Sequence, residues 1–236
     1  DTIWIDKIRI TKTTPLKLLL DKIQNTYKNK LPFVAYKKPN DTTVFGLFQK
    51  DDLLHTITSN FNASGFVFAP FNTLEKTVFF PLEQSELIKV SFVAQQIKLA
   101  NVVHFDETSK KKHISIVQKA IEAITKSAFK KVVISRKEIV AISEIEVEEI
   151  FERLLQMYPN AFVYVWFHPK VGFWFGATTE TLLNITTSNF KTMSLAGTPV
   201  YKDAEKVVWK SKELDEQQLV TNFIESQLES ISTNLI

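Results

Sequence analysis

The sequence predicts an α+β fold built around a largely antiparallel sheet. Amphipathic helices and short strands mix along the chain, the strands are separated by clusters of Pro, Asn and Asp, and two of them form a hairpin around residues 169–172. Neighbouring strands joined by turns are antiparallel, and helices interspersed among them place the chain in the α+β class.

The composition is that of a globular protein. Of the 236 residues 44% are apolar and 23% charged, which excludes intrinsic disorder, and the length suits one large or two small domains. The absence of cysteine excludes disulfides and cysteine-bound zinc. No stretch approaches the ~20 apolar residues of a membrane helix. Lysines alternate with acids and only three of the 29 basic residues are arginine, so we expect no nucleic-acid partner.

The first part of the chain, 1–106, reads as a sheet-rich region without a recognisable motif. Apolar residues at helical spacing after Pro15 predict a helix over 16–27. Short segments rich in Phe and Val predict strands at 33–36, 43–48, 65–69 and 77–80.

The second part begins with a helix and a strand. Ile114, Val117, Ile121 and Ile124 recur at helical spacing, and the β-branched residues that follow predict a strand over 131–136.

Ser143 and Glu146 have the spacing of a capping box, which predicts the start of another helix. That helix is expected to carry Ile150, Leu154 and Met157 on one face.

The remaining elements are predicted from local pattern. Strands are expected over 161–168, 173–177 and 190–196, and a long helix over 211–231.

Glycines are few and unevenly placed. Gly172, Gly176 and Gly197 fall within 26 residues of a chain that has only 5 glycines. Gly172 suits the hairpin turn. Gly176 and Gly197 each interrupt a predicted strand end beside threonines, where backbone N–H groups and hydroxyls could bind an anion; ordinary turns are the alternative.

Most common active-site motifs are missing. The histidines, His55, His104, His113 and His168, show no ligand spacing, so we expect surface or edge residues and neither a zinc nor a haem site. No nucleotide-binding or serine-hydrolase motif occurs. A Mg²⁺ ion held by carboxylates stays possible.

Four acidic or basic residues could carry chemistry. Lys131 is the first residue of a predicted strand that is otherwise apolar. It could extend its amine to solvent, or burial could lower the pKa of the amine so that it accepts a proton. Glu180 follows the predicted hairpin. It could be a general acid, or it could be an acidic residue in the first turn of a short helix. Glu213 and Glu216 share one face of the last helix, which without further support is a solvated acidic face.

Four blocks of sequence together resemble the chorismate-utilising enzymes. They are KVVISR at 131–136, FWFGATTE at 173–180, LAGT at 195–198 and KELDEQQLV at 212–220. They occur in the order and at about the spacing of that family, and the LAGT form is most similar to the isochorismate synthases. The fold that this resemblance implies has large antiparallel sheets around the site and helices outside.

The resemblance also implies roles for single residues. Lys131 matches the general base that activates water to attack C2 of chorismate, and Glu180 the acid that protonates the departing C4 hydroxyl. Glu216 matches a Mg²⁺ ligand, and Gly197 and Thr198 match positions that hold the ring carboxylate. The implied enzyme is a cytoplasmic, Mg²⁺-dependent isochorismate synthase of menaquinone or siderophore biosynthesis, expected to be a monomer with chorismate as its partner.

Two features depart from the family pattern. Thr179 stands where the family usually has proline. The sequence ends at Ile236, before the family's second Mg²⁺-binding glutamate and further substrate contacts. We therefore expect 107–236 to be the N-terminal portion of a catalytic core truncated at its C-terminus, and the isolated chain to be inactive. Salicylate, anthranilate or aminodeoxychorismate synthase activity, or a non-catalytic anion-binding remnant of the fold, are the alternatives.

Overall fold

The computed structural model describes residues 16–57, 62–72, 74–95, 106–141, 144–198 and 207–231. The chain divides into two compact units, each assembled from separate stretches of sequence. The first unit comprises Asp1–Lys98 and Glu144–Lys191, and the second comprises Leu99–Ser143 and Thr192–Ile236. Helices and antiparallel strands mix as predicted, so the α+β class is confirmed. The predicted boundary at residue 106 stays a prediction.

The helices and strands of the described residues are these, in chain order: α1 (Leu16–Lys28), β1 (Phe33–Lys37), β2 (Thr43–Gln49), β3 (His55–Ile57), β4 (Gly65–Phe68), β5 (Thr77–Pro81), a 3₁₀ turn (Leu82–Gln84), β6 (Ser85–Ser91), α2 (Glu107–Thr125), α3 (Val147–Met157), β7 (Phe162–His168), β8 (Gly172–Thr178), β9 (Asn184–Thr186), β10 (Asn189–Lys191) and α4 (Ser211–Leu228). The helices α2 and α4 belong to the second unit, and all the other elements belong to the first.

A five-stranded antiparallel sheet with the order β6-β2-β1-β7-β8 forms the centre of the first unit. Its middle strand, β1, pairs Ala35 with Gly46 of β2 on one side and with Val165 of β7 on the other. A three-stranded sheet has the order β3-β5-β4, and β9 pairs with β10 in a hairpin. The pairing of β1 with β7 joins segments of chain that lie more than a hundred residues apart.

The two faces of the five-stranded sheet are covered by different elements. Helices α1 and α3 pack on one face through buried residues such as Ile23 and Phe151. On the other face, Val34 and Trp166 pack against Phe80 of β5. Because side chains alternate between the faces of a strand, successive residues of β1 contribute to two separate apolar clusters.

The buried side of α3 differs from the one predicted. Val147, Phe151 and Leu155 are buried, whereas Met157 is 40% exposed. The predicted stripe of Ile150, Leu154 and Met157 has the same periodicity but is rotated about the helix axis, so periodicity alone did not identify the face.

The start of α3 also differs from the prediction. Residues 144–146 are not helical, and Glu146 is the N-cap rather than the third helical residue. The other half of the predicted capping box, Ser143, lies outside the described residues.

The strand predictions succeeded in the first unit and failed in the second. The strands predicted at 33–36, 43–48, 65–69 and 77–80 are confirmed as β1, β2, β4 and β5, and the hairpin as β7 and β8. The short strands β3 and β9 and the charge-bearing β6 were not predicted.

The strand predicted over 131–136 is wrong. Residues 131–141 have no regular secondary structure, and Val133 is 82% exposed. A β-branched composition makes a strand only where a neighbouring strand accepts its hydrogen bonds, and no described strand pairs with this segment. Similarly, only Asn189–Lys191 of the strand predicted over 190–196 is regular.

The two helices of the second unit have no fully buried residue. Most of the apolar face predicted for α2 is exposed, including Ile114 and Ile121. Asp106 caps this helix, since its side chain accepts hydrogen bonds from the N–H groups of Thr108 and Ser109. Among the described residues, no helix combines the length and the apolar character needed to cross a membrane.

Candidate active site

Lys131 and Glu216 form an ion pair within the second unit. The Lys131 Nζ lies 3.6 Å from Glu216 Oε1, and the two side chains are 25% and 35% exposed. Lys131 lies at the start of the irregular segment 131–141, and Glu216 lies in the second turn of α4. Two residues singled out from the sequence on separate grounds are therefore neighbours in space.

The two glutamates predicted to share a face of α4 have different contacts. Glu213 is in the first turn, and its Oε2 accepts a hydrogen bond from the backbone N–H of Lys210 at 3.0 Å. This contact satisfies a donor that the start of a helix would otherwise leave unpaired. Glu216, one turn later, faces Lys131 instead. Each glutamate therefore has a partner of its own, while both residues stay partly exposed to solvent.

Gly197 lies against the first turn of α4. It has φ +70°, a left-handed conformation that favours glycine, and a Cβ added there would lie 2.8 Å from the carbonyl oxygen of Glu213. The segment 192–198 is not a strand, so Gly197 does not mark a strand end. The close approach of two backbones explains why glycine occupies this position. Thr198 follows it and is exposed.

Gly176 has a packing explanation of its own. It lies within β8 opposite Tyr164 of β7, and an added Cβ would overlap the Tyr164 ring. The ring fills the space that a side chain would take, so no ligand is needed to account for this glycine. Gly172, with φ +126°, forms the hairpin turn between β7 and β8 as predicted.

Glu180 lies just beyond the end of β8 in the first unit. Its backbone N–H donates a hydrogen bond to Thr178 Oγ1 at 3.2 Å, and its side chain is exposed. This local bond orients the turn that follows the strand while the carboxylate stays accessible. Glu180 belongs to the first unit and Lys131 belongs to the second unit.

The described residues supply only part of a metal site. Nowhere in the part of the chain that the structure describes do three or more His, Asp or Glu side chains form a group that could hold a metal ion. At Glu216 a single carboxyl group lies beside the amine of Lys131. Magnesium is often held by one or two protein carboxylates with water and substrate oxygens completing the shell. Glu216 alone would therefore be a Mg²⁺ ligand only if oxygen atoms of the substrate and of water supplied the other ligands.

His168 is not the surface or edge residue that the sequence suggested. It is 1% exposed at the end of β7. Its Nδ1 accepts the backbone N–H of Lys170, and its Nε2 lies 3.3 Å from the carbonyl oxygen of Leu53. Both contacts are satisfied by the neutral ring with a proton on Nε2. Burial lowers the pKa of His168.

Lys37 is a second buried polar residue that the sequence did not reveal. Its Nζ donates hydrogen bonds to the carbonyl oxygens of Pro159, at 2.7 Å, and Lys38, at 3.1 Å. Burial lowers the pKa of Lys37. A cavity of about 210 Å³ adjoins it. A lysine at the end of the apolar run FVAYK was the available signal, but such a residue normally extends its amine to solvent.

Comparison with known proteins identifies one family. The family model described as "Chorismate binding enzyme" matches residues 58–236, a range that includes every residue of the ion pair, the Gly197 turn and Glu180. The comparisons with curated proteins and with solved structures gave no match.

Proposed function

The chain belongs to the chorismate-binding enzyme family, and on that premise we propose that it acts as an isochorismate synthase. In this reaction a water molecule adds at C2 of chorismate and the C4 hydroxyl leaves as water, with the ring double bonds shifting between them. The observation that carries the proposal is the proximity of Lys131 to Glu216, because it joins the proposed base to the proposed substrate-binding helix.

Lys131 is the proposed general base. Three-quarters of its side chain is buried, and its amine is held beside the second turn of α4. A base must lie within hydrogen-bond reach of the proton that it takes, directly or through one water. An amine fixed next to the substrate-binding helix can hold the attacking water against the ring and accept its proton when neutral.

Glu180 is the proposed general acid. Its carboxyl group is accessible at the end of β8, and the turn that carries it is oriented by the Thr178 hydroxyl. Moving a hydroxyl from C4 to C2 needs a proton donor at one position and a proton acceptor at the other. The proposal therefore assigns the proton donor to Glu180 and the proton acceptor to Lys131.

Gly197 and Thr198 are proposed to hold the ring carboxylate of the substrate. A glycine with positive φ leaves neighbouring backbone N–H groups accessible to an anion, and the Thr198 hydroxyl is exposed beside it. The contact of Gly197 with the first turn of α4 would place that carboxylate near Glu216.

Mg²⁺ is the proposed cofactor, with Glu216 as one of its ligands. When bound, the ion would neutralise negative charge on the substrate carboxylate and so favour the bound pose of a dianionic ring. The chain's own contribution is to hold Glu216 on a helix whose first turn is capped by Glu213.

Product analysis tests the proposal. The natural protein, produced from its whole coding sequence, is incubated with chorismate and Mg²⁺, and the products are separated by chromatography. Isochorismate as the main product is expected. Salicylate with pyruvate, or an aminated ring that forms only when ammonia is supplied, would replace the isomerase proposal with another activity of the family. Binding of chorismate without any turnover would instead indicate a non-catalytic anion-binding protein.

A further inference from the structure

A pair of hydroxyl groups connects the segment 192–198 to α4. Thr221 Oγ1, on the third turn of the helix, lies 2.9 Å from Ser194 Oγ, and both residues are half-buried. We infer that Ser194 and Thr221 are positioning residues that hold the Gly197–Thr198 turn at a fixed place along α4. The inference rests on the proposed function, since its consequence is a correctly placed substrate carboxylate.

The described contacts between the segment and the helix include two at defined positions. One is the hydroxyl pair of Ser194 and Thr221, and the other is the close approach of Gly197 to the backbone of Glu213. On the helix these points are eight residues apart, which at 1.5 Å a residue is about 12 Å. From Ser194 to Gly197 there are three residue steps, which span at most about 11 Å when fully extended.

Ser194 lies against the later of the two points on the helix and Gly197 against the earlier one, so the segment runs in the opposite direction to α4. The two lengths are similar, so the segment is just long enough to reach both points. An intact hydroxyl pair therefore helps to fix where Gly197 meets Glu213, and its loss removes one of the contacts that hold the turn there.

Gln217 holds the Thr221 hydroxyl in place. Its Nε2 donates to Thr221 Oγ1 at 3.0 Å, and Thr221 Oγ1 also lies 3.2 Å from the Gln217 carbonyl oxygen. A threonine hydroxyl has a single proton, so it donates either to Ser194 or to that carbonyl, and the Ser194 hydroxyl donates in the second case. The contact between the two hydroxyls persists in both arrangements.

Thr221→Val tests the inference, because valine keeps the shape and removes the hydroxyl. We expect KM for chorismate to rise by about fivefold, the equivalent of one lost hydrogen bond, with a much smaller change in kcat. Ser194→Ala should have the same effect, and the double variant should be no worse than either single one, because both remove one contact. Thr221→Ser, which restores the hydroxyl, should restore KM.

A binding measurement separates the inference from the reaction. Calorimetric titration of chorismate into Glu180→Gln protein, with and without Thr221→Val, should show the same weakening although turnover is blocked. Ser226→Ala removes a hydroxyl that bonds within α4, to the carbonyl of Phe223, and should leave both quantities unchanged.

The outcomes are distinct. Unchanged KM and unchanged affinity in Thr221→Val, with the protein folded as judged by its melting temperature, would overturn the inference and leave the proposed function standing. A product other than isochorismate, together with the expected fivefold effects, would overturn the proposed reaction and leave the positioning role standing. Equal loss in Thr221→Ser and Thr221→Val would show that the hydroxyl is not what matters.

Discussion

Glu213 and Glu216 stand one turn apart on α4 and have unlike surroundings. Glu213 accepts the N–H of Lys210 and so belongs to the start of the helix, while Glu216 faces Lys131. The sequence places both on one helix face, which is correct, but spacing along a helix carries no information about which residue meets a distant lysine. The resemblance of KELDEQQLV to a known family assigned Glu216 a role as Mg²⁺ ligand, which stays a prediction, and did not indicate its contact with Lys131.

Burial of single polar residues was the least predictable feature at this scale. His168 ends a strand whose other residues are apolar, and a histidine in that place reads equally well as an edge residue. Its burial depends on the carbonyl of Leu53, which approaches from 115 residues away along the chain. No local pattern contains that contact.

Substitution of the proposed base or acid should abolish turnover without unfolding the protein. In the natural protein, Lys131→Ala and Glu180→Gln should each lower kcat by about two to four orders of magnitude, the usual contribution of a general acid or base. Steady-state assay of isochorismate formation measures this, and melting temperatures within a few degrees of wild type would show that the fold survives.

Lys130→Ala is the matched control for the lysine. Lys130 is the exposed neighbour of Lys131, and within the described residues it forms no ion pair. Its removal should leave kcat nearly unchanged. Near wild-type turnover in Lys131→Ala or in Glu180→Gln would show that the role assigned to that residue is wrong.

His168 makes stability depend on pH. Burial holds its pKa below that of an exposed histidine, so below about pH 6.5 the unfolded chain binds a proton that the folded chain does not. The contribution is therefore fully present above that pH and is lost progressively as the pH falls towards the folded-state pKa, by at most about 1.4 kcal/mol per pH unit.

Urea unfolding at pH 7.5 and 5.5 measures this effect. Wild type should lose more free energy of unfolding between the two values than His168→Gln, in which no imidazole titrates. Equal losses in the two proteins would contradict the account of His168.

At the scale of elements, the local sequence pattern correctly predicted several helices and strands of the first unit. Helix α1 and strands β1, β2, β4 and β5 follow from apolar spacing and turn residues, and the structure confirms them. The segment 131–141 has a comparable β-branched composition and forms no strand. The difference lies in the neighbours: β1 has strands on both sides, and no described strand pairs with 131–141. A β-branched composition favours an extended strand, but the strand forms only where a second strand is available to share its hydrogen bonds.

The orientation of α3 provides a direct test of which face is buried. Phe151→Ala should lower the free energy of unfolding by about 3–5 kcal/mol, because Phe151 is fully buried between α1 and the sheet and its truncation leaves a cavity. Met157→Ala, on the stripe that periodicity indicated, should change it by less than about 1 kcal/mol, since that side chain is 40% exposed.

Chemical denaturation of wild type and of the two variants measures these changes in the free energy of unfolding. A larger loss in Met157→Ala than in Phe151→Ala would show that the buried face is the predicted one after all.

At the scale of the whole molecule, each unit is assembled from stretches that are distant in sequence. The central sheet of the first unit pairs β1 with β7, so chain near the start and chain beyond residue 160 share one core. The second unit brings Lys131 to Glu216 across 85 residues in the same way. Pairings of this kind depend on topology, which is why the sequence predicted the fold class and the candidate residues but not their arrangement.

Family membership supplies the link from these arrangements to chemistry. The matched range, 58–236, crosses both units and contains Lys131, Glu180, Gly197, Thr198 and Glu216. The central claim of the proposed function goes beyond the family: it is a specific reaction path, in which a water molecule supplies the new hydroxyl at C2 while the original C4 hydroxyl is lost.

Isotope labelling tests that path most directly. Chorismate is converted by the natural protein in water enriched in ¹⁸O, and the isochorismate formed is analysed by mass spectrometry, with unreacted chorismate incubated without protein as the control. The account predicts one ¹⁸O atom in the C2 hydroxyl of a fraction of the product equal to the ¹⁸O enrichment of the water, and none in the untreated substrate. Isochorismate that carries no label would show that the oxygen does not come from water and would contradict the roles proposed for Lys131 and Glu180.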